Sequence, residues 1–159
     1  MIVNKSKRRI VREKVLQVLY AYEMNADSLE PLIPEILADV ADEADKTFAR
    51  ELIGKVILNI DELDKRIINR VTNWEMNRIA LIDKILLRMG ICEILYFHDI
   101  PPKVSINESI EIAKDYSTAG SAKFVNGILD AILVEEKKAG KLNKSGRGLL
   151  EESISPSRQ

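Results

Sequence analysis

Cysteine, histidine and aromatic residues are scarce in this chain of 159 residues. It has one cysteine (Cys92), one histidine (His98) and only 5% aromatic residues. A single thiol cannot form an internal disulfide, and one cysteine with one histidine cannot supply the ligands of a zinc site. We therefore expect no metal site and a reducing compartment. Because 46% of the residues are hydrophobic and only 5% are aromatic, the core is expected to be aliphatic.

Long apolar runs and known catalytic motifs are also missing. No run approaches the roughly 20 residues of a membrane span, and the basic N-terminus lacks the apolar segment of a secretory signal. We expect no membrane association and a cytoplasmic location. There is no nucleophile elbow, glycine-rich phosphate loop, HExxH or CxxC. His98, beside Asp99, is more typical of a cap or surface residue than of a general base, so we predict that the chain is not an enzyme.

Helical spacing of apolar residues recurs along the chain, whereas the alternation typical of strands is absent. This pattern predicts an all-α fold. Helices are expected over residues 7–24, 31–40, from 46 with a break near 59–61, from 72, over 79–97, over 105–116 and after 121. The helix over 79–97 is apolar nearly all round, which predicts a central, buried position.

Local signals refine the helix ends. Thr72–Glu75 and Ser105–Glu108 have the form of capping boxes, and Asp27 or Ser28 is a candidate N-cap. Gly127 lies inside the last apolar stripe, which predicts close helix–helix approach there. Trp74 is expected to be a packing residue.

The predicted domain organisation is one helical domain followed by a polar tail. Residues 1–139 form the domain, with two subdomains over about 1–72 and 73–139. Residues 140–159 are rich in Gly, Ser and Lys and are expected to be a flexible, disordered tail.

The first predicted helix concentrates positive charge. Residues 5–14 hold six basic residues against one acid, Glu13, whereas residues 27–64 hold eleven acids against three bases. The net charge of −1 therefore hides a polarised chain. The basic residues are Lys5, Lys7, Arg8, Arg9, Arg12 and Lys14.

Two interpretations of this basic cluster stay open from the residues alone. Charge runs are usually solvated faces, and N-termini are often basic and frayed. Half of the cluster is however arginine, which pairs bidentately with phosphate and stacks on bases, so it also fits a local nucleic-acid-binding patch. The residues alone indicate an all-helical binding module with a basic N-terminal patch.

Several ordered blocks resemble the transcription antitermination factor NusB family, over roughly residues 7–135. They are Lys7-Arg8-Arg9, Arg12-Glu13 and Gln17-Val18-Leu19-Tyr20; Trp74 with Arg78; Asp83-Lys84-Ile85-Leu86-Leu87-Arg88 with Glu93; Asp99-Ile100-Pro101; Ile106-Asn107-Glu108; Glu111-Ile112-Ala113-Lys114; and Ser121-Ala122-Lys123-Phe124-Val125-Asn126-Gly127-Ile128-Leu129-Asp130.

The resemblance implies a fold of two packed three-helix bundles and a role in transcription. Its members bind the boxA element of nascent ribosomal RNA, as single strand, together with NusE, which is also a small-subunit ribosomal protein. The pair then joins the RNA polymerase elongation complex with other Nus factors and favours elongation through terminators. No catalysis and no cofactor are implied.

The resemblance also implies two sets of site residues. The RNA surface joins the arginine-rich opening to the start of the last helix. It maps to Lys7, Arg8, Arg9, Arg12, Ser121, Lys123, Phe124 and Asn126. The NusE-binding surface maps to Tyr20, Glu75 and Asp83.

Some of these assignments have alternatives in the residues themselves. Phe124 and Asn126 also fit core packing and a structural hydrogen bond. Asp83, a charge on an apolar helix, fits either an exposed partner contact or a salt bridge. Gly120 stands where some members carry an acid, and an acid there would repel phosphate. Lys84 replaces the usual arginine.

Two other functions are considered beside antitermination. In the first, the chain is a non-catalytic helical interaction module that forms a homodimer, and its basic patch binds RNA without sequence preference. Alternatively, it would be a fragment of a ribosomal RNA methyltransferase that carries a NusB-like domain, although no methyltransferase segment follows in the sequence.

Overall fold

The computed structural model describes residues 5–71 and 73–150, except for the side chains of Ser28 and residues 73–75. In this part of the chain the secondary structure is helical throughout and contains no strand, which confirms the all-α prediction. None of its helices combines the length and the apolar character that a membrane span requires. The chain divides into two compact units, Met1–Leu58 and Asn59–Gln159.

Over its described residues, 5–58, the first unit contains three α-helices. They are α1 (Lys7–Met24), α2 (Leu29–Ile36) and α3 (Glu43–Leu58), with a 3₁₀ turn at Ala26–Ser28. The Ser6 hydroxyl caps α1 by accepting from the Arg9 N–H at 3.0 Å. In the 3₁₀ turn the cap is Asn25, whose side-chain oxygen accepts from the Asp27 N–H at 3.1 Å.

An aliphatic core joins α1 and α3, the pair with the most extensive packing in this unit. The apolar residues Val11, Val15 and Val18 follow the helical period along one face of α1 and are buried. It meets the buried side of α3, formed by Phe48, Ala49, Leu52, Ile53 and Val56. Arg12 and Glu13 are also buried, so α3 covers more of α1 than its apolar stripe alone.

In the described part of the second unit, residues 59–71 and 73–150, there are five α-helices. They are α4 (Ile60–Ile68), α5 (Asn73–Arg78), α6 (Leu81–Tyr96), α7 (Pro102–Tyr116) and α8 (Ala119–Lys138). The helices α6, α7 and α8 pack on one another, and α4 packs on α6. Because of this packing, α4 belongs to the second unit and the division falls ahead of residue 72, the boundary expected from the sequence. Trp74 and Thr72 lie outside the described side chains.

The central position predicted for α6 is confirmed, since all of its residues from Ile85 to Ile94 are buried. Gly90 is the point of close approach. A Cβ built there would lie 2.8 Å from Leu129 Cδ1 on α8 and 3.1 Å from Ser109 Oγ on α7. The prediction of close approach at Gly127 is wrong, because a Cβ at Gly127 would meet nothing within 4 Å.

Two of the charged residues buried inside α6, Arg88 and Glu93, have hydrogen-bond partners, as burial requires. Arg88 donates from Nε and Nη2 to the two carboxylate oxygens of Asp64 on α4, at 2.7 and 3.0 Å. Glu93, only 1% exposed, accepts from the Ser105 hydroxyl at 2.7 Å.

This use of Ser105 overturns the capping box predicted at Ser105–Glu108. The helix α7 begins at Pro102, three residues earlier, with Pro101 as its N-cap. Proline suits the first helical position because its φ is already helical and it has no N–H to leave unsatisfied. Ser105 is therefore inside the helix, where its hydroxyl serves the buried Glu93 carboxylate.

Residues 141–150 differ from the flexible tail expected from residue 140 onward. The Lys144 ammonium donates to the carbonyl oxygens of Glu93 and Phe97, at 3.1 and 2.7 Å, and thereby caps the C-terminus of α6. The Ser145 N–H donates to the His98 carbonyl at 2.9 Å. A 3₁₀ turn, Gly146–Leu149, follows, and Gly148 packs directly against the His98 carbonyl. Residues 151–159 lie outside the described part of the chain.

Candidate nucleic-acid interface

The basic residues predicted to bind RNA on α1 differ widely in exposure. Lys7 is exposed, Arg8 and Arg9 are half-buried, and Arg12 is only 3% exposed. The basic cluster is therefore exposed to solvent at the N-terminal end of α1, whereas α3 covers it one turn further along, at Arg12. Arg12 lies there against α3 rather than on an open surface.

Arg8 is held on two sides by α3. Its Nε–H donates to Asp45 Oδ1 at 3.0 Å. Its guanidinium carbon lies 4.3 Å from the centroid of the Phe48 ring, and that of Arg12 lies 5.1 Å from the same centroid. Both distances fit cation–π attraction. Asp45 and Phe48 were not singled out in the sequence, although their separation of three residues places both on one face of α3.

Acidic residues of the first unit lie directly against the basic ones. Lys5 pairs with Glu13 at 2.7 Å, and Lys14 pairs with Asp39 at 2.9 Å. The hydrogen bond and charge of Lys14 hold the pKa of the Asp39 carboxyl below its ordinary value. The opposite charges seen in the sequence are thus folded against each other.

A groove of about 330 Å³ runs beside this basic end of α1. Its walls mix positive, negative and apolar side chains, so its field is weaker than the count of basic residues suggests. It is lined by Lys7, Ile10, Val11, Lys14, Asp39, Val40, Ala41, Asp42 and Asp45.

The other predicted RNA residues lie in the first two turns of α8. The helix begins at Ala119, because the Thr118 hydroxyl accepts from the Ser121 N–H at 3.0 Å and caps it. Ser121 also accepts a hydrogen bond at Oγ from the Ser117 hydroxyl, at 2.9 Å. Lys123 is exposed, whereas Phe124 and Asn126 are half-buried. Phe124 thus keeps part of its ring accessible while packing on the core.

A cavity of about 450 Å³ opens at this end of α8. Backbone and side chains from the start of α6, the start of α8 and the segment before α6 form its wall. It is lined by Arg78, Ile79, Ala80, Asp83, Thr118, Gly120, Ser121 and Phe124.

Asp83, for which an exposed partner contact and a salt bridge were both open, is buried in the wall of this cavity. It is only 5% exposed, and its Oδ1 has no hydrogen-bond partner among the described residues. This burial does not fit the exposed alternative, and residues from the start of α8 and from the segment before α6 line the same cavity. An unsatisfied carboxylate oxygen is costly, so a donor entering the cavity would be bound favourably.

The remaining partner-binding residues are placed only in part. Tyr20 is 40% exposed on α1. Glu75 belongs to α5, but its side chain lies outside the described residues. Gly120 is exposed in the first turn of α8, and a Cβ there would lie 3.7 Å from the Thr118 hydroxyl, an ordinary contact.

Comparisons with known proteins match this arrangement to one family. The family model described as "NusB family" matches residues 9–134. The transcription antitermination protein NusB of Chloroherpeton thalassium is 52% identical over 146 residues, which is 91% of this chain and 69% of that protein.

Solved structures agree with the sequence match. A structure of T. maritima NusB is 39% identical, with a TM-score of 0.74, over 84% of this chain and 94% of that one. A structure of antitermination factors NusB and NusE in complex with dsRNA shares the fold at 22% identity, with a TM-score of 0.72, over 81% of this chain and 97% of that one. With most of its length matched by the family model and by a relative above half identity, this chain belongs to the NusB family.

Proposed function

We propose that this chain is a non-catalytic transcription antitermination factor that binds boxA-like single-stranded RNA together with NusE. The names and partners of its relatives support this proposal. The Chloroherpeton relative is called a transcription antitermination protein, and a structural neighbour is a complex of NusB, NusE and RNA. The complex then joins the RNA polymerase elongation complex with other Nus factors, in the cytoplasm.

The observation that supports RNA binding is the fixed orientation of Arg8 in the first turn of α1. Arg8 is fixed by Asp45 and Phe48, and Lys7 and Arg9 flank it in the first turn. A guanidinium held in one orientation loses less entropy when it grips phosphate or a base edge. Lys7 adds positive charge that any RNA backbone would meet.

The start of α8 supplies a second set of groups suited to RNA. The first N–H groups of a helix attract phosphate, and Lys123 adds charge one turn into the helix. The accessible part of Phe124 offers a surface on which an unpaired base would stack. Ser121 and Asn126 add polar groups for sugar or base edges.

The NusE-binding residues are proposed from Tyr20, Glu75 and Asp83. Tyr20 presents an amphipathic ring at the surface, a residue type enriched at interfaces. The Asp83 carboxylate oxygen lacks a partner among the described residues and would be satisfied by an N–H of a bound protein. This assignment treats Asp83 as a recessed contact rather than an exposed one.

The proposed function is tested by fluorescence anisotropy with a boxA-like RNA and a scrambled RNA, each at two salt concentrations, with and without NusE. We expect the boxA-like RNA to bind more tightly and NusE to strengthen that binding. Equal, weak, strongly salt-dependent binding to both RNAs, unaltered by NusE, would replace this proposal by the interaction module with a general basic patch.

A variant pair tests the residues on α1. Lys7→Ala with Arg9→Ala should weaken RNA binding and lower the salt slope by about 0.7 for each phosphate that is no longer neutralised. Arg12 is left intact because its burial would confound affinity with stability. The control, Lys138→Ala with Lys141→Ala, removes the same charge from exposed positions elsewhere. If both pairs change binding equally, the effect is one of net charge and the assignment to α1 fails.

A further inference from the structure

Asp45 is an acidic residue in direct contact with one of the proposed RNA-binding arginines, Arg8. It lies in the first turn of α3, with its side chain only 12% exposed, and accepts the Nε–H of Arg8. Phe48, one turn later, lies under the face of the same guanidinium. Arg8 is therefore held by one edge and by one face.

The bond between Arg8 and Asp45 fixes the orientation of the whole guanidinium, including the edge that faces away from Asp45. The bond to Asp45 uses the Nε–H, whereas the four N–H groups on the two Nη atoms are not engaged by that bond. These are the groups with which arginine makes bidentate contacts to phosphate or to a guanine edge. A carboxylate that fixes Nε therefore sets the direction of the groups that would touch RNA.

Asp45 also brings a negative charge to the place where a phosphate would bind. This charge opposes every RNA, whatever its sequence, while the orientation it imposes helps only an RNA whose groups fit the fixed guanidinium. Capping of α3 does not explain its position. That role belongs to Asp42, whose carboxylate accepts from the N–H groups of Ala44 and Asp45 at 2.7 and 3.3 Å.

We infer that Asp45 is a positioning residue that raises RNA discrimination: through Arg8 it orients the contact and weakens non-specific binding. The inference rests on the RNA-binding function proposed above. It assigns to α3, outside the predicted RNA surface, a part in choosing among RNAs.

The test is Asp45→Asn, which removes the charge but keeps an acceptor oxygen of the same shape. The matched control is Glu43→Gln, which removes one charge from the same first turn of α3, where Glu43 is exposed and pairs with Lys46 at 3.3 Å. Both changes remove one negative charge from the N-terminal turn of α3, where such a charge interacts favourably with the helix macrodipole. Anisotropy is measured for the boxA-like and scrambled RNAs at two salt concentrations.

We expect Asp45→Asn to tighten binding of the scrambled RNA roughly fivefold at low salt, the size of a partly exposed charge pair. Binding of the boxA-like RNA should tighten by less than about twofold, because a neutral acceptor orients the guanidinium more weakly than a carboxylate. The discrimination ratio therefore falls, whereas Glu43→Gln leaves it unchanged. Equal tightening for both RNAs, or no difference from Glu43→Gln, would overturn the inference.

A second measurement separates positioning from a structural role. In an Arg8→Ala background the guanidinium is gone, so Asp45→Asn should no longer change the discrimination ratio. A persisting change would show that Asp45 acts elsewhere. Thermal melts of all variants confirm that they are folded. If the unaltered chain itself shows no preference for boxA-like RNA, the proposed function fails. If the preference exists and only the Asp45 effect is missing, the inference alone fails.

Discussion

At the scale of single residues, two glycines on helices have opposite surroundings. Gly90 lies in α6 where α7 and α8 approach it, and Gly127 lies exposed on α8. Both are interior helical positions, where glycine costs about 1 kcal/mol relative to alanine. Their environments, and not their positions in a periodic pattern, decide what a side chain would do.

Gly90→Ala and Gly127→Ala therefore form a matched pair of stability predictions. The added Cβ at Gly90 would press on the Leu129 and Ser109 side chains, and overpacking of about 1–3 kcal/mol should outweigh the gain in helix propensity. Gly127→Ala should stabilise the fold by up to about 1 kcal/mol. Urea denaturation measures both. A change of the same sign in the two variants would contradict the packing seen around α6.

At the scale of elements, the segment over residues 141–150 holds the end of α6 through Lys144. Burial lowers the pKa of the Lys144 ammonium to about 8, from an ordinary value of 10.5, although the charges of Glu93 and Asp99 act in the opposite direction. Neutral lysine still has two N–H groups, so both bonds to the α6 carbonyls survive deprotonation.

The lowered pKa of Lys144 predicts how stability depends on pH. Between about pH 8 and 10.5 the unfolded chain keeps a proton that the folded chain has released, so this group raises the free energy of unfolding as pH increases. Below pH 8 both states are protonated and the contribution is constant. Lys144→Met should remove this rise and, at pH 7, cost about 1 kcal/mol because its hydrogen bonds are absent.

Urea denaturation at pH 7, 8, 9 and 10 checks this prediction against Lys141→Met, which removes an exposed lysine. The stability difference between the two variants should widen above pH 8, though by less than the pKa shift alone would give, because Lys144 is partly exposed. A constant difference across the range would contradict the burial of the Lys144 ammonium against the end of α6.

At the scale of the whole molecule, periodicity predicted the long helices well because a buried stripe repeats along α1, α3, α6, α7 and α8. It predicted α1 over residues 7–24, as observed, and the central role of α6. What it could not supply were pairings between distant residues. Arg8 and Asp45 are 37 residues apart, and Glu93 and Ser105 belong to different helices.

The same limit explains the differences at the candidate site. The helical period places Arg12 on the same side of α1 as other basic residues, but only the position of Phe48 on α3 shows that Arg12 is covered. Asp83 is similarly buried by the start of α8, which no local pattern in α6 reveals. Local helices follow from the sequence, whereas the exposure of a charge depends on its neighbours in space.

The folding of acids against bases predicts a shallow salt dependence for RNA binding. If all six basic residues of positions 5–14 met phosphate, the slope of log affinity against log salt would be about −4, at about −0.7 for each contact on single strands. Lys5, Arg8 and Lys14 are each paired with an acid of the first unit, and such cations displace fewer counterions from RNA. We expect a slope clearly shallower than −4, measured by anisotropy between about 50 and 300 mM salt, a span over which counterion release changes affinity measurably. A slope of about −4 or steeper would mean that these ion pairs open when RNA binds, and that the charge of α1 is released rather than held by its partners.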